Sequence, residues 1–236
     1  MPKIEVCLSP ALLHLYNTEG ANVVIIDIFR ATSTIAAALD NGAQYVLPVA
    51  SVDTCIDLGT QIAHSVTGGE RDGKVAPGLQ NGNSPLEYTK DFIGGRPLIL
   101  TTTNGTRLLH MVKGAKNIII GSFLNIDAVS KFLVEDGADV LLACASWKDR
   151  FNLEDTLFAG AVCKKIGDQF SMNCDSVRMA RTLHKQSIDV GLLEFLKDSS
   201  HYIRLSGFGL EKDMEYCLTP NLHPVLPLLR GDKLVI

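Results

Sequence analysis

The fold is set by residues 22–34, which read NVVIIDIFRATST. Residues 23–26 form a short run of branched apolar side chains, which is typical of a strand buried on both faces. A polar turn follows, and residues 32–40 then have the apolar spacing of a helix. A strand followed by a turn and a helix is the repeating unit of an α/β protein.

The same unit recurs along the chain. Further apolar runs predict strands at residues 45–47, 98–100, 118–120 and 140–143. Helical spacing predicts further helices at about 52–63, 106–112, 126–135, 154–166 and 176–185. After Met172 we expect helices and then one or two closing strands. The rhythm indicates a layered α/β/α fold with a mostly parallel or mixed sheet.

Residues 68–85 interrupt the rhythm. They contain five glycines and two prolines and have no apolar periodicity. Because a structureless connection of this length is uncommon, we expect either a functional loop or a flexible one there. No linker composition divides the chain, so residues 1–236 are expected to form a single unit. The alternative is two similar, intimately packed lobes at about 1–115 and 116–236.

Charge and composition argue against several classes of protein. The chain has 22 Lys and Arg against 26 Asp and Glu, and it lacks a dense basic run, so we expect no nucleic-acid partner. It also lacks the apolar stretch of roughly 20 residues that spans a membrane, so a cytoplasmic location is expected. The six cysteines form no C-x-x-C pair, which favours reduced thiols over a zinc site.

Polar residues follow the first predicted strand. Asp27 stands at the strand end, Arg30 comes next, and Thr32 and Ser33 lie at the start of the predicted helix. The free N–H groups of a helix N-terminus bind anions, while a carboxylate such as Asp27 binds a cation. The alternative is that Thr32 or Ser33 only caps the helix.

Similar polar groups follow the later strands. A hydroxyl-rich turn suited to phosphate oxygens contains Thr103, Asn104, Gly105, Thr106 and Arg107. Ser146 follows another strand, and the irregular loop supplies Arg71 and Ser84. Oxygen ligands from separate segments suit a hard cation such as Mg²⁺; the candidates are Asp27, Glu70, Asn83, Glu154 and Asp155.

These motifs together resemble the 2-phosphosulfolactate phosphatase family of coenzyme M biosynthesis. The matching segments are residues 24–34, 69–71, 82–85, 102–106, 144–147, 154–155 and 159–160, and they occur in the same order. Gly209, Asp213 and Cys217 are compatible with the same family. Ser146 departs from the pattern, because glycine is expected at that position.

The resemblance implies a Mg²⁺-dependent phosphatase that converts 2-phosphosulfolactate, a small anionic substrate, to 3-sulfolactate and phosphate. We assign catalysis to Asp27, Arg30, Glu70 and Arg71. We assign metal binding to Asp27, Glu70, Glu154 and Asp155. The expected substrate-binding residues are Thr32, Ser33, Asn83, Ser84, Thr103, Asn104, Gly105, Thr106, Arg107 and Ser146. At least two of Arg30, Arg71 and Arg107 should line the pocket and select an acid group beside the phosphorylated carbon.

Two other functions stay open at this point. A haloacid dehalogenase type of phosphatase requires a second aspartate two positions after Asp27, but Phe29 stands there. A non-catalytic receptor for a phosphorylated metabolite would gain nothing from so many carboxylates. We expect Cys144 and Cys217 to pack in the core. The sequence decides neither between direct and covalent phosphoryl transfer nor between a monomer and a homodimer.

Overall fold

The computed structural model of the chain describes residues 1–71, 73–102, 108–109, 111–112 and 114–236. Within these residues the strands are β1 (Ile4–Cys7), β2 (Asn22–Ile26), β3 (Val46–Val49), β4 (Val66–Arg71), β5 (Lys74–Val75), β6 (Leu98–Thr101), β7 (Asn117–Gly121), β8 (Val140–Cys144), β9 (Leu228–Arg230) and β10 (Lys233–Val235). The α-helices are α1 (Ala31–Asp40), α2 (Val52–Gln61), α3 (Lys90–Ile93), α4 (Ile126–Asp136), α5 (Leu153–Ile166), α6 (Asp175–Val190), α7 (Leu192–Leu196), α8 (Ser200–Ser206) and α9 (Glu211–Cys217).

The strands form one mixed sheet in the order β1-β8-β2-β7-β9-β10-β3-β6-β4-β5. Two groups of strands are parallel within it, β1-β8-β2-β7 and β3-β6-β4. The hairpin of β9 and β10 joins them, because β9 pairs with β7 and β10 pairs with β3, both antiparallel. The mixed, mostly parallel sheet expected from the sequence is confirmed.

The two parallel groups do not coincide with the lobes considered at 1–115 and 116–236. Strands β1 and β2, from the first segment, pair with β8 and β7, from the second. The chain therefore crosses between the groups instead of completing one before it starts the other.

Helices cover both faces of the sheet. Val24 and Ile26 of β2 belong to one core, which includes residues of α4, α5 and α6. Val23 and Ile25 point the other way, into a second core that includes residues of α1 and α3. This alternation follows from the two-residue period of a strand. The result is the layered α/β/α arrangement that the apolar runs predict.

Most predicted elements have the observed type and place. The ends of β2, β3, β6, β7 and β8 lie within two residues of the predicted ends. Helix α6 extends five residues beyond its predicted end, to Val190. Of the helix predicted at 106–112, residues 108–109 and 111–112 are described, and Leu108, Leu109 and Met111 are helical. Among the helices of the described residues, none is both long and apolar enough to cross a membrane.

The prediction of an irregular loop from residue 68 was wrong at its start, because Gly68 and Gly69 belong to β4. A Cβ atom on Gly68 would lie 2.1 Å from the hydroxyl oxygen of Tyr88. One on Gly69 would lie 2.6 Å from the carbonyl oxygen of Thr101. The glycines therefore permit close approach within the sheet, a use of glycine that a sequence pattern does not separate from a turn.

Candidate active site

A cavity of about 170 Å³ lies beside the end of β2 and the end of β4. Its lining residues are Asp27, Phe29, Arg30, Glu70, Arg71, Asn83, Trp147, Lys148, His201, Arg204 and Leu205. This volume is below the range of about 300–1,000 Å³ that is usual for drug-sized ligands. The cavity therefore suits a small metabolite.

Asp27 follows β2 and is held at the start of α1. The Thr32 hydroxyl donates to the carbonyl oxygen of Asp27 (2.9 Å) and accepts from its N–H (3.1 Å). The N–H of Ala31 donates to the Asp27 carboxylate. Burial raises the pKa of Asp27 to about 6; His201 opposes this shift, and the charges of Glu154 and Glu70 add to it. Asp27 can thus change its protonation state near neutral pH.

Arg30 links the cavity to the C-terminal helices. Its guanidinium donates to the carboxylate of Asp213 in α9, and both side chains are buried. A buried ion pair of this kind is costly to break, because the remaining charge has no partner. Arg30 therefore lies in a fixed position at the cavity wall.

Asn83 reaches the same cavity from the loop before α3. The Thr34 hydroxyl of α1 donates to the backbone carbonyl of Asn83 (3.0 Å). The side-chain Oδ1 of Asn83 is buried and has no hydrogen-bond partner within the described part of the chain. A buried amide oxygen without a partner is costly, so this atom is suited to a ligand or a cation.

His201 lies between a buried acid and an arginine. Its Nδ1 is 2.5 Å from Oε1 of Glu154, and its Nε2 is 2.9 Å from Nη2 of Arg204. Because a guanidinium only donates, Nε2 must accept, and Nδ1 carries the proton that is donated to Glu154. Glu154 is fully buried and does not line the cavity, and its Oε2 has no partner among the described residues.

Trp147 forms an aromatic platform at the cavity. Its ring stacks on His201 with centroids 6.3 Å apart and an interplanar angle of 18°. Nζ of Lys148 lies 4.8 Å and Cζ of Arg204 lies 4.7 Å from the ring centroid. Cations over an indole ring are favourable contacts, so the three side chains stabilise one another.

Asp155 holds two backbone segments together. One carboxylate oxygen accepts from the N–H of Ile28 (2.9 Å) and the other from the N–H of Ser146 (3.1 Å). Burial and the nearby charges of Glu154 and Asp27 raise the pKa of Asp155 well above its usual value. Because both oxygens are engaged, these contacts favour a structural role for Asp155 over metal binding.

Ser146 occupies a backbone conformation that favours glycine. Its φ is 55°, in the left-handed region that side chains with a Cβ disfavour. Its hydroxyl is buried and has no partner among the residues that the structure describes. This is the physical reason for expecting glycine at the position.

The structure brings five of the predicted site residues to the cavity: Asp27, Arg30, Glu70, Arg71 and Asn83. Glu70 accepts from the N–H of Gly73 through its carboxylate (3.1 Å), and its carbonyl accepts from Arg71 (2.6 Å). Ser84 lines an adjoining cavity, where its hydroxyl accepts from the N–H of Leu86 (3.3 Å).

The other predicted residues lie elsewhere. The hydroxyls of Thr32 and Ser33 donate to the backbone carbonyls of Asp27 and Ile28, so both are engaged inside the turn. Neither caps α1, because its N-cap residue is Arg30, which makes no side-chain capping bond. The candidates Thr103, Asn104, Gly105, Thr106 and Arg107 fall outside the described residues.

Sequence reasoning named Asp213 only as compatible with the family and missed the other site residues of the C-terminal helices. His201 and Arg204 lie three residues apart on α8 and face the cavity together, and Asp213 of α9 pairs with Arg30. No spacing relates them to Asp27, because they are more than 170 residues away in sequence. Trp147 and Lys148 follow β8 directly and could have been chosen for that reason.

The thiols of Cys144 and Cys217 are unsuited to nucleophilic attack. Burial raises the pKa of Cys217 to about 12 and that of Cys144 well above its ordinary value. Both are therefore protonated near neutral pH, whereas the thiolate is the reactive form. Their burial agrees with the packing roles expected for them.

The chain is similar to proteins of one family. A family model described as 2-phosphosulpholactate phosphatase matches residues 7–232. A probable 2-phosphosulfolactate phosphatase of Thermotoga petrophila is 40% identical over 221 residues, which cover 92% of this chain and 93% of the relative. One of Clostridium acetobutylicum is 34% identical and covers 99% of this chain and 100% of the relative. This chain therefore belongs to the 2-phosphosulfolactate phosphatase family.

Proposed function

We propose that the chain hydrolyses 2-phosphosulfolactate to 3-sulfolactate and phosphate at the cavity around Asp27, with Mg²⁺ as cofactor. The observation that carries the proposal is the meeting of Asp27 with Arg30, Arg71 and Asn83 in one small cavity of a member of this family. We further propose that the reaction serves coenzyme M biosynthesis in the cytoplasm. We propose no nucleic-acid partner for the protein. That it forms a homodimer stays a prediction.

The residues at the cavity can supply one or two ligands to a Mg²⁺ ion. Within the described residues no group of three or more His, Cys, Asp or Glu side chains is arranged to hold a metal. Mg²⁺ commonly needs only one or two carboxylates, and keeps water and substrate phosphate as its other ligands. The carboxylate of Asp27 and the unpartnered Oδ1 of Asn83 are hard oxygen ligands of the required type. The bound ion would neutralise negative charge on the phosphoryl oxygens.

The protein's own side chains supply binding and proton transfer. Arg30 and Arg71 donate to phosphoryl oxygens, and the Asp213 contact keeps Arg30 oriented while it does so. Without a bound cation the pKa of Asp27 is about 6, so its carboxylate is mostly ionised near neutral pH. In that form it can serve as a Mg²⁺ ligand or, as the alternative role, accept the proton of an attacking water. Phe29, Trp147 and Leu205 contribute apolar walls that limit access of bulk water.

The first test is phosphate release from 2-phosphosulfolactate after exhaustive chelation and after Mg²⁺ is added back. We expect no turnover without the ion and full recovery with it. Asp27→Asn and Glu70→Gln should fold normally and lose on the order of a hundredfold or more in kcat, the scale of one positioned electrostatic group.

The matched controls are Asp57→Asn and Glu135→Gln, which change exposed carboxylates on α2 and α4. Both should retain wild-type turnover. Undiminished activity after chelation would contradict the role of the metal. Near-normal turnover in both cavity variants would remove Asp27 and Glu70 from the reaction.

A further inference from the structure

Arg204 is a cation without an acidic partner among the described residues. Its guanidinium contacts His201 through Nη2, lies over the Trp147 ring, and is 5.9 Å from the centroid of Phe208. None of the ion pairs formed among the described residues includes Arg204, and its Nε is buried without a hydrogen-bond partner there. The side chain is thus oriented by a histidine ring nitrogen and two aromatic rings, and one buried donor is left without a partner among the described residues.

A partly buried cation in this state favours an anionic ligand. A buried guanidinium N–H without a hydrogen-bond acceptor destabilises the protein, and a bound anion that accepts from it would remove this cost. Four cationic side chains line the cavity, against the carboxylates of Asp27 and Glu70. The charge of one of the four, Arg30, is already balanced by Asp213. Lys148 and Arg204 both lie over the Trp147 ring, and neither forms an ion pair among the described residues, so two unbalanced positive charges meet at this ring.

We propose that Trp147, Lys148 and Arg204 form the subsite that binds the sulfonate of the substrate. This inference rests on the proposed function, in which Asp27, Arg30 and Arg71 serve the phosphate.

The chemistry of a sulfonate matches these three side chains. It is a strong acid that stays ionised and a poorly hydrated anion, and guanidinium is the more weakly hydrated of the two protein cations. Its three oxygens point in different directions, so an ammonium and a guanidinium on one ring can both reach it. The methylene that carries the sulfonate is apolar and suits contact with the indole.

The test compares 2-phosphosulfolactate with 2-phospholactate, which has the same skeleton without the sulfonate. In Arg204→Ala we expect kcat/KM for 2-phosphosulfolactate to fall about 10- to 100-fold, the range for a lost hydrogen bond to a charged group. The value for 2-phospholactate should change little. Lys148→Ala should give a smaller loss of the same selectivity, because Lys148 is exposed. Arg178→Ala, an exposed arginine on α6, is the matched control and should leave both values unchanged.

Equal losses on both substrates in Arg204→Ala would overturn the subsite, because they would indicate an effect through His201 or on the fold. Binding of 3-sulfolactate and of lactate, measured by calorimetry, separates this inference from the proposed function. If the wild type releases no phosphate but binds 3-sulfolactate more tightly than lactate, and Arg204→Ala removes that preference, the subsite stands and the proposed function fails. If the wild type binds both acids equally, the subsite is wrong.

Discussion

Replacing Asp27 by Asn should make the protein more stable while it removes activity. Asp27 is 8% exposed, and its pKa rises from 3.8 to about 6, chiefly because burial disfavours the charged form. In the folded chain the carboxyl thus keeps its proton to a higher pH than in the unfolded chain. Between these two pKa values the folded state binds more protons, so the free energy of unfolding falls as pH rises.

The size of the effect follows from the pKa shift. About two pKa units correspond to about 3 kcal/mol, because each unit is worth about 1.4 kcal/mol. This cost is fully present above pH 7, is about half as large at pH 5, and disappears below the unfolded pKa. Asn is neutral at every pH and keeps an oxygen that can accept the N–H of Ala31. Asp27→Asn should therefore gain up to about 3 kcal/mol at pH 8.

Urea unfolding at pH 8 and pH 5 measures the difference, with a chelator present so that no cation offsets the charge of Asp27. The gain in unfolding free energy should be larger at pH 8 than at pH 5. Asp57→Asn, at an exposed position, is the control, and its free energy of unfolding should equal that of the wild type at both pH values. An equal gain at both pH values, or none at pH 8, would refute the view that buried charge at Asp27 limits stability.

Two further predictions concern Ser146 and Cys217. Ser146→Gly should raise the free energy of unfolding by about 1 kcal/mol, because it relieves a left-handed φ and removes a buried hydroxyl without a described partner; a lower melting temperature would contradict this. Cys217→Ser should retain turnover, and iodoacetamide at pH 8 should leave the wild type active, since burial keeps this thiol protonated; inactivation by either change would give the thiol a direct role.

The sequence predicts those strands that consist of one apolar run and those helices that have one continuous stretch of helical spacing. Strands β2 and β8 and helices α1 and α5 are of this kind, because burial on both faces of a sheet leaves long runs of branched apolar residues. Strand β4 was not predicted, because its glycines are typical of a turn. In the structure these glycines are required by close packing within the sheet. The pairing of β9 with β7 and of β10 with β3 could not be predicted either, since it joins strands that are distant in sequence.

The candidate site divides in the same way. Asp27 could be found because it directly follows a strong strand, and Glu70 and Arg71 because their motif resembles the family. Arg204 could not be found, because its importance depends on contacts with Trp147 and His201 that exist only in the folded chain. Asp155 was overinterpreted, since a carboxylate at a helix start gives no sign that backbone N–H groups occupy both of its oxygens.

The hairpin of β9 and β10 places strands that follow the others in sequence in the middle of the sheet. Among the described residues the remaining strands all lie within residues 4–144, so both parallel groups leave the ribosome before the strands that join them. Until then the edges at Ile119 and Val46 lack the partners they have in the finished sheet. Exposed edges of this kind pair readily with other chains. We therefore expect the nascent protein to be most prone to aggregation after both parallel groups are made and before residues 228–235 have joined the sheet.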